Sequence, residues 1–160
     1  MLSSPLELLR SMFDGAVAAA APEASLAVHL PPPPRGRTVV VGAGKAAAAM
    51  ARVVEQAWLN RNSQGTISGL VITRYGHGVR TEQIEVVEAA HPVPDQAGLD
   101  AARRTLDLVQ TLGPDDLVLC LVSGGGSALL TLPAEGITLK EKQSVTQQML
   151  RCGATISEIN

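Results

Sequence analysis

Apolar residues fall along this chain in two alternating patterns, short unbroken runs and stripes at helical spacing. The runs cover residues 39–41, 68–73, 84–87 and 117–122, and each predicts a short buried strand. Between them the stripes predict helices. Leu6, Leu9, Phe13 and Ala16 share one face, which predicts a helix with a side to bury. Met50, Val53, Ala57 and Trp58 mark a second helix, and Leu99, Ala102, Leu106 and Val109 a third. Ser4-Pro5-Leu6-Glu7 supplies a cap, a first-turn proline and a capping-box glutamate, and the first helix should end near Pro22. Asp95 caps the third helix and Gly113-Pro114 stops it. Thr138 and Glu141 frame a second capping box, opening a helix to about Arg151 or Cys152, and Ser157 reads as the cap of one more.

Strands alternating with helices imply crossover connections and a parallel sheet. The predicted class is α/β, a Rossmann-like, doubly wound, mostly parallel sheet with helices on both faces. Residues 1–30 read as an N-terminal helix, 31–37 as a proline-rich linker (Pro31 to Pro34 are consecutive) and 38–160 as the α/β domain. At 160 residues the chain suits one such domain and not two. Apolar residues make up 46% of it but aromatic ones only 2%, so Ala, Val and Leu build the core.

A net charge of −2 argues against an electrostatic nucleic-acid or membrane partner. Only Phe13, Trp58 and Tyr75 are available for base stacking. Cys120 and Cys152 stand in no metal or redox spacing, and Cys120, inside an apolar run, reads as a small buried hydrophobe. Glu7 and Arg10 interrupt the N-terminal apolar pattern, so it lacks a signal-peptide core, and no run approaches transmembrane length. A cytoplasmic protein is the expectation.

Two strand ends carry the candidate chemistry. The first is Gly42-Ala-Gly-Lys-Ala-Ala47, a glycine turn opening a helix, where free N–H groups and the helix dipole would favour an anion. It fits the dinucleotide fingerprint only in relaxed form, with Ala47 at the third glycine position. It is not a Walker loop, because Val39 stands where the first glycine belongs and Ala46 follows Lys45. Lys45 opposes the dipole of the helix it opens, which points to function as readily as to a solvated surface lysine. Residues 68–73 end in Arg74-Tyr75 without the acidic residue a nicotinamide ribose requires, although Arg74 could hold a 2′-phosphate.

The second strand end, Ser123-Gly-Gly-Gly-Ser127, brings backbone close to a ligand and can turn several N–H groups one way. Its plainer reading is a flexible turn. Leu121 and Leu129 exclude a nucleophile-elbow serine. His91 lies at the end of the third strand, either fixing its loop or facing the same edge. Asp95 is first a helix cap, Asp115 and Asp116 read as solvated turn ends, and His29 and His77 have no partners at ligand spacing. No metal cluster can be read.

At these residues the chain resembles the N-terminal part of the class II, MOFRL-type glycerate kinases, whose members are often labelled hydroxypyruvate reductase. The resemblance rests on VVVGAGKAAAAM (39–50), GLVITRYGHG (69–78), EAAHPVPDQAG (88–98), LVLCLVSGGGSALL (117–130) and GATISEIN (153–160), which follow in the family's order. It implies a two-domain α/β enzyme that phosphorylates D-glycerate from ATP with Mg²⁺, giving 2-phosphoglycerate at an interdomain cleft. It also implies that this chain is an N-terminal segment, inactive alone. In the family's pattern Asn160 is followed by an Arg-Lys-His segment, an active-site arginine and the second domain.

By that resemblance Lys45 is the catalytic lysine, meeting charge on the transferring phosphoryl group or the glycerate carboxylate. Gly42, Gly44, Gly124, Gly125 and Gly126 would hold phosphate or carboxylate through their amides. Ser123 and Ser127 would add hydroxyls, and His91 and Asp95 would shape the cleft. The alternatives are an NAD(P)H-dependent hydroxypyruvate reductase and a non-catalytic phospho-ligand binding module. An uncovered sheet edge would make the segment self-associate.

Overall fold

β1 (Thr38–Ala43) is buried at every residue and hydrogen-bonded on both sides, and the rest of the fold is laid against it. The structure, a computed structural model, describes residues 4–61 and 66–159. β2 (Ile67–Arg74) pairs with one side of β1 and β4 (Leu117–Val122) with the other, while β3 (Ile84–Ala89) pairs with β2. All three pairings are parallel and the order is β3-β2-β1-β4, so the expected α/β class holds. The chain switches direction at β1, between β2 on one side and β4 on the other, and an open sheet forms its ligand crevice at such a point.

The two faces are covered by different helices. α3 (Ala47–Arg61) lays Ala47, Ala51, Val54 and Trp58 on Val40, Val71, Ile84 and Leu121. Small alanines let this helix approach the sheet, which is why its buried stripe runs through them and not through Met50 and Ala57. Opposite, α4 (Gln96–Gln110) and the short α5 (Gly126–Leu129) bring Ala101 and Leu129 onto Ala43, Leu70, Ile72 and Ala89. Leu106, expected to be buried, is exposed because α4 packs through Ala101, Ala102 and Thr105.

Three other expectations are corrected. α1 (Pro5–Ala20) has its capping box, but none of its residues is buried and Phe13 is 68% exposed. No described element covers its apolar side, and the chain continues through α2 (Pro22–Ser25) and a 3₁₀ turn whose Leu26 packs on the α3 core. Cys120 is exposed, since β4 is an edge strand whose outward positions meet no helix; Val122 is 68% exposed. Asp116 is no loose turn end. It accepts the N–H groups of Arg37 (2.7 Å) and Gly113 (3.0 Å) and pairs with the Arg37 guanidinium (3.1 Å).

Beyond β4, α6 (Leu139–Arg151) forms from the Thr138–Glu141 capping box. The final turn, α7 (Ile156–Ile159), is capped by Thr155 and not Ser157, because Glu158 lies three residues after Thr155 and bonds it. Asn160, the end of the last family-like segment, lies outside the described residues. Among the described residues no helix is long and apolar enough to cross a membrane.

Glu55 is the least expected part of the core. It is 4% exposed on α3, and its carboxylate accepts the N–H groups of Glu82 (2.9 Å), Gln83 (2.7 Å) and Ile84 (3.0 Å), tying α3 to the start of β3. Glu55→Ala should destabilise the chain by about 3 kcal/mol, since three backbone donors, that of Ile84 buried, lose their acceptor. Urea unfolding read through Trp58, the single tryptophan, measures this, and exposed Gln56→Ala is the control, expected within about 0.5 kcal/mol. The Gly113 and Arg37 amides, then the Arg37 side chain, hold the Asp116 carboxyl at about 2 against its ordinary 3.8. Its contribution to stability is therefore complete above 3.8 and disappears as pH falls toward 2. In Asp116→Asn that part of the acid dependence should be missing.

Candidate functional site

The tips of β1 and β4 are joined by three hydrogen bonds and a steric fit, and a fourth bond ties the β1 tip to β2. Ser123 N–H donates to Ala43 O (3.1 Å), and Gly44 N–H donates across to Ile72 O of β2 (3.0 Å). Lys45 N–H then donates to Gly124 O (2.9 Å), and Ala46 N–H to Ser123 Oγ (3.0 Å). Gly44 has φ +139°, and a Cβ there would overlap the Ser123 side chain. Gly42 is buried inside β1 opposite Leu121, and the space a side chain would need is filled by the Leu121 carbonyl.

This corrects the expectation of a free anion nest at the first glycine turn. The Gly44, Lys45 and Ala46 amides all have protein acceptors, because the β4 tip lies alongside and takes two of them. Ser123 acts as the cap of α3 from another strand. The open amides are on the other loop: Gly124, Gly125 and Gly126 donate to no acceptor among the described residues. Lys45 precedes α3 and does not sit within its first turn. Its carbonyl accepts from Thr73 Oγ1 (3.4 Å) and lies 3.3 Å from His77 Nδ1, so its backbone is held from β2 as well as β4.

Lys45 and His91 converge on Gly125. At this residue φ is +91°, and a Cβ would lie 2.7 Å from His91 Nε2 and 3.5 Å from Lys45 Cε. Only glycine leaves room for the imidazole to rest on the loop. Partial burial and then the positive charges of Lys45 and Arg74 hold the His91 pKa below its ordinary 6.5. A neutral imidazole thus stands beside an ammonium group and three open amides. Asp95 takes no part in this. Its carboxylate accepts Gly98 N–H (3.0 Å) as the α4 cap and the Tyr75 hydroxyl (2.8 Å). Burial alone would raise the Asp95 pKa, but these bonds bring it below the ordinary value. Ser127, in the first turn of α5, is exposed.

From the loop a cavity of about 930 Å³ extends under α6, with His91, Gly124, Gly125 and Ser127 on one wall and Leu132, Val145 and Met149 on the other. Gln143 of α6 donates to Pro94 O (2.8 Å). The site therefore has a polar, cationic end at the strand tips and an apolar body.

A protein family described as "Domain of unknown function (DUF4147)" matches residues 8–160. The chain belongs to this family. An Agrobacterium vitis protein named for hydroxypyruvate reductase is 52% identical over 157 residues, 98% of this chain and 35% of that protein. A D-glycerate 2-kinase of Thermotoga maritima is 41% identical over 140 residues, 87% of this chain and 33% of that protein. The crystal structure of a glycerate kinase from Thermotoga maritima matches with a TM-score of 0.76 at 36% identity, covering 96% of this chain and 36% of that one. This DUF4147 chain thus spans about a third of the length of the relatives it matches. The resemblance seen in the sequence is borne out, and so is the α/β fold.

The DUF4147 site also uses residues that motif reading passed over. Thr73 and His77 hold the Lys45 carbonyl, and Tyr75 holds Asp95; their signal was the Arg74-Tyr75-Gly76-His77 run at the end of β2. Removing the Lys45 charge should raise the His91 pKa, though burial will keep it under 6.5. Proton NMR titration of the imidazole in Lys45→Ala against the parent measures the shift. Because the unfolded imidazole binds protons more readily, His91 stabilises the fold above about 6.5 and loses that contribution as pH falls.

Proposed function

We propose that the protein carrying this chain phosphorylates D-glycerate from ATP, giving 2-phosphoglycerate, and that these strand tips form one wall of its active site. The observation that carries the reading is the convergence of Lys45 and His91 on a loop whose three glycine amides have no acceptor among the described residues. Phosphoryl transfer asks for positioning and charge neutralisation more than for covalent help, and this is what the edge offers. The Gly124, Gly125 and Gly126 amides hold phosphate oxygens, and Ser127 adds a hydroxyl. Lys45 meets the charge of the transferring group. Gly42 and Gly44 contribute by letting β1 and β4 approach, and Ser123 by fixing the start of α3. Asp95 supports the cleft from behind, through Tyr75 and α4. The relatives named glycerate kinase support this choice of reaction.

ATP suits the pairing of open amides with a cationic side chain. Mg²⁺ would neutralise charge on the nucleotide phosphates. Among the described residues no group of three or more His, Cys, Asp or Glu side chains could hold a metal, so its protein ligands are not assigned to this chain. Both cysteines are free thiols, in keeping with the cytoplasmic setting of such a reaction.

One observation favours the second reading, NAD(P)H-dependent reduction of hydroxypyruvate: the name of the Agrobacterium vitis relative. The site geometry disfavours it. A dinucleotide pyrophosphate needs the amides at the first glycine turn, and here Gly44, Lys45 and Ala46 have already donated theirs. The full-length protein should consume D-glycerate in an ATP-dependent manner and leave NADH unchanged with hydroxypyruvate; the opposite pattern would favour the reductase. Lys45→Ala should lower kcat/KM for phosphorylation by roughly 100- to 1,000-fold. Lys45 is exposed, so the melting temperature should move by about 2 °C or less. Turnover like that of the parent would remove Lys45 from the reaction.

A further inference from the structure

Arg74 ends β2 and has no place in the reading so far. The sheet's alternation fixes which way it faces. Leu70 and Ile72 pack with Ala43, Ala89 and Leu129, whereas Val71 packs with Trp58 on the other face. Two residues beyond Ile72, Arg74 continues onto the α4–α5 face, above which His91 rests on Gly125. The depressed pKa of His91, to which Arg74 and Lys45 both contribute, agrees with this placement.

The nearby carboxylates are spoken for. Glu88 lies on the opposite face of β3 from Ala89 and accepts Gly78 N–H (2.9 Å). Asp95 is held by Gly98 and Tyr75. Arg74 makes no ion pair and no side-chain hydrogen bond among the described residues. An exposed arginine can be idle anywhere else on a surface, but this one stands at the carboxyl ends of the strands, where open parallel sheets bind ligands.

We propose that Arg74 is the carboxylate anchor for a small 2-hydroxy acid, seated beside Lys45 and His91 at the tips of β2 and β1. The reasoning is one of spacing. The open amides stand at the β4 tip, Lys45 at the β1 tip and Arg74 at the β2 tip. Two strand spacings, about 10 Å, separate the outer pair. With the donor phosphates on the amides and the transferring group at Lys45, the acid's hydroxyl meets Lys45 and its carboxylate, one carbon away, reaches Arg74. A guanidinium binds a carboxylate through two parallel hydrogen bonds, which fixes the orientation of the hydroxyl as well as affinity.

This rests on the kinase reading for the identity of the acid, but the anchor itself can be tested without turnover. Arg74→Gln and Arg74→Lys are compared with the parent in the full-length protein, with far-UV circular dichroism as the check on folding. KM for D-glycerate should rise roughly 10- to 100-fold in Arg74→Gln, with KM for ATP within about twofold, and Arg74→Lys should recover part of the loss. Calorimetric titration with D-glycerate, and with glycerol as the partner lacking a carboxylate, reads the same contact directly: the parent should bind only the acid, and Arg74→Gln should bind it roughly 10- to 100-fold more weakly. If the parent binds D-glycerate through Arg74 but turns nothing over, the kinase reading fails and the anchor stands. A rise in KM for ATP alone would assign Arg74 to the nucleotide phosphates and overturn the proposal, and so would unchanged KM and affinity for the acid.

Discussion

The hydrogen bonds between the tips of β1 and β4 are the constraint on which the site depends. Lys45 N–H reaches Gly124 O and Ala46 N–H reaches Ser123 Oγ, so two loops 77 residues apart are held as one surface. Their amides are thereby sorted. Those of the first loop are spent on holding the strand tips together, and those of the second have no acceptor among the described residues. The two glycine-rich sequences look alike, yet only one keeps donors for a ligand.

The same division of labour extends across the sheet. β1 is covered on both faces and paired on both edges, which makes it a rigid reference from which the tips project. β2 supports the lysine through Thr73 and His77, and β3 delivers His91 to Gly125. The functional groups thus come from four strands but depend on one. Placing them on strand ends costs the core little, because each side chain starts where burial stops.

Much of this was legible in the sequence wherever the cause was local. The capping boxes at Ser4 and Thr138 and the Asp95 cap need only residues three positions apart, and all three formed as read. Thr155 with Glu158 obeyed the same rule and was overlooked in favour of Ser157. The strands followed from their apolar runs. What escaped depends on neighbours distant in the chain. Ser123 as the cap of α3, Glu55 beneath the start of β3 and Asp116 gripping Arg37 each join elements that no local pattern connects. Cys120 was misjudged for a related reason: an apolar run says that a strand forms, but not whether it lies at the centre or the edge of its sheet.

α1 shows the opposite balance. Its helix is held by its own capping box and by alanine and leucine propensity, with no buried residue to tie it to the sheet. A helix of that length is only marginally stable by itself in water. Its backbone amides should therefore trade protons with solvent through local fraying, on a free-energy scale far below that of global opening. Those of β1 can exchange only when the whole sheet comes apart. The chain thus carries a gradient of protection, lowest at its amino-terminal helix and highest in the strand that supports the lysine.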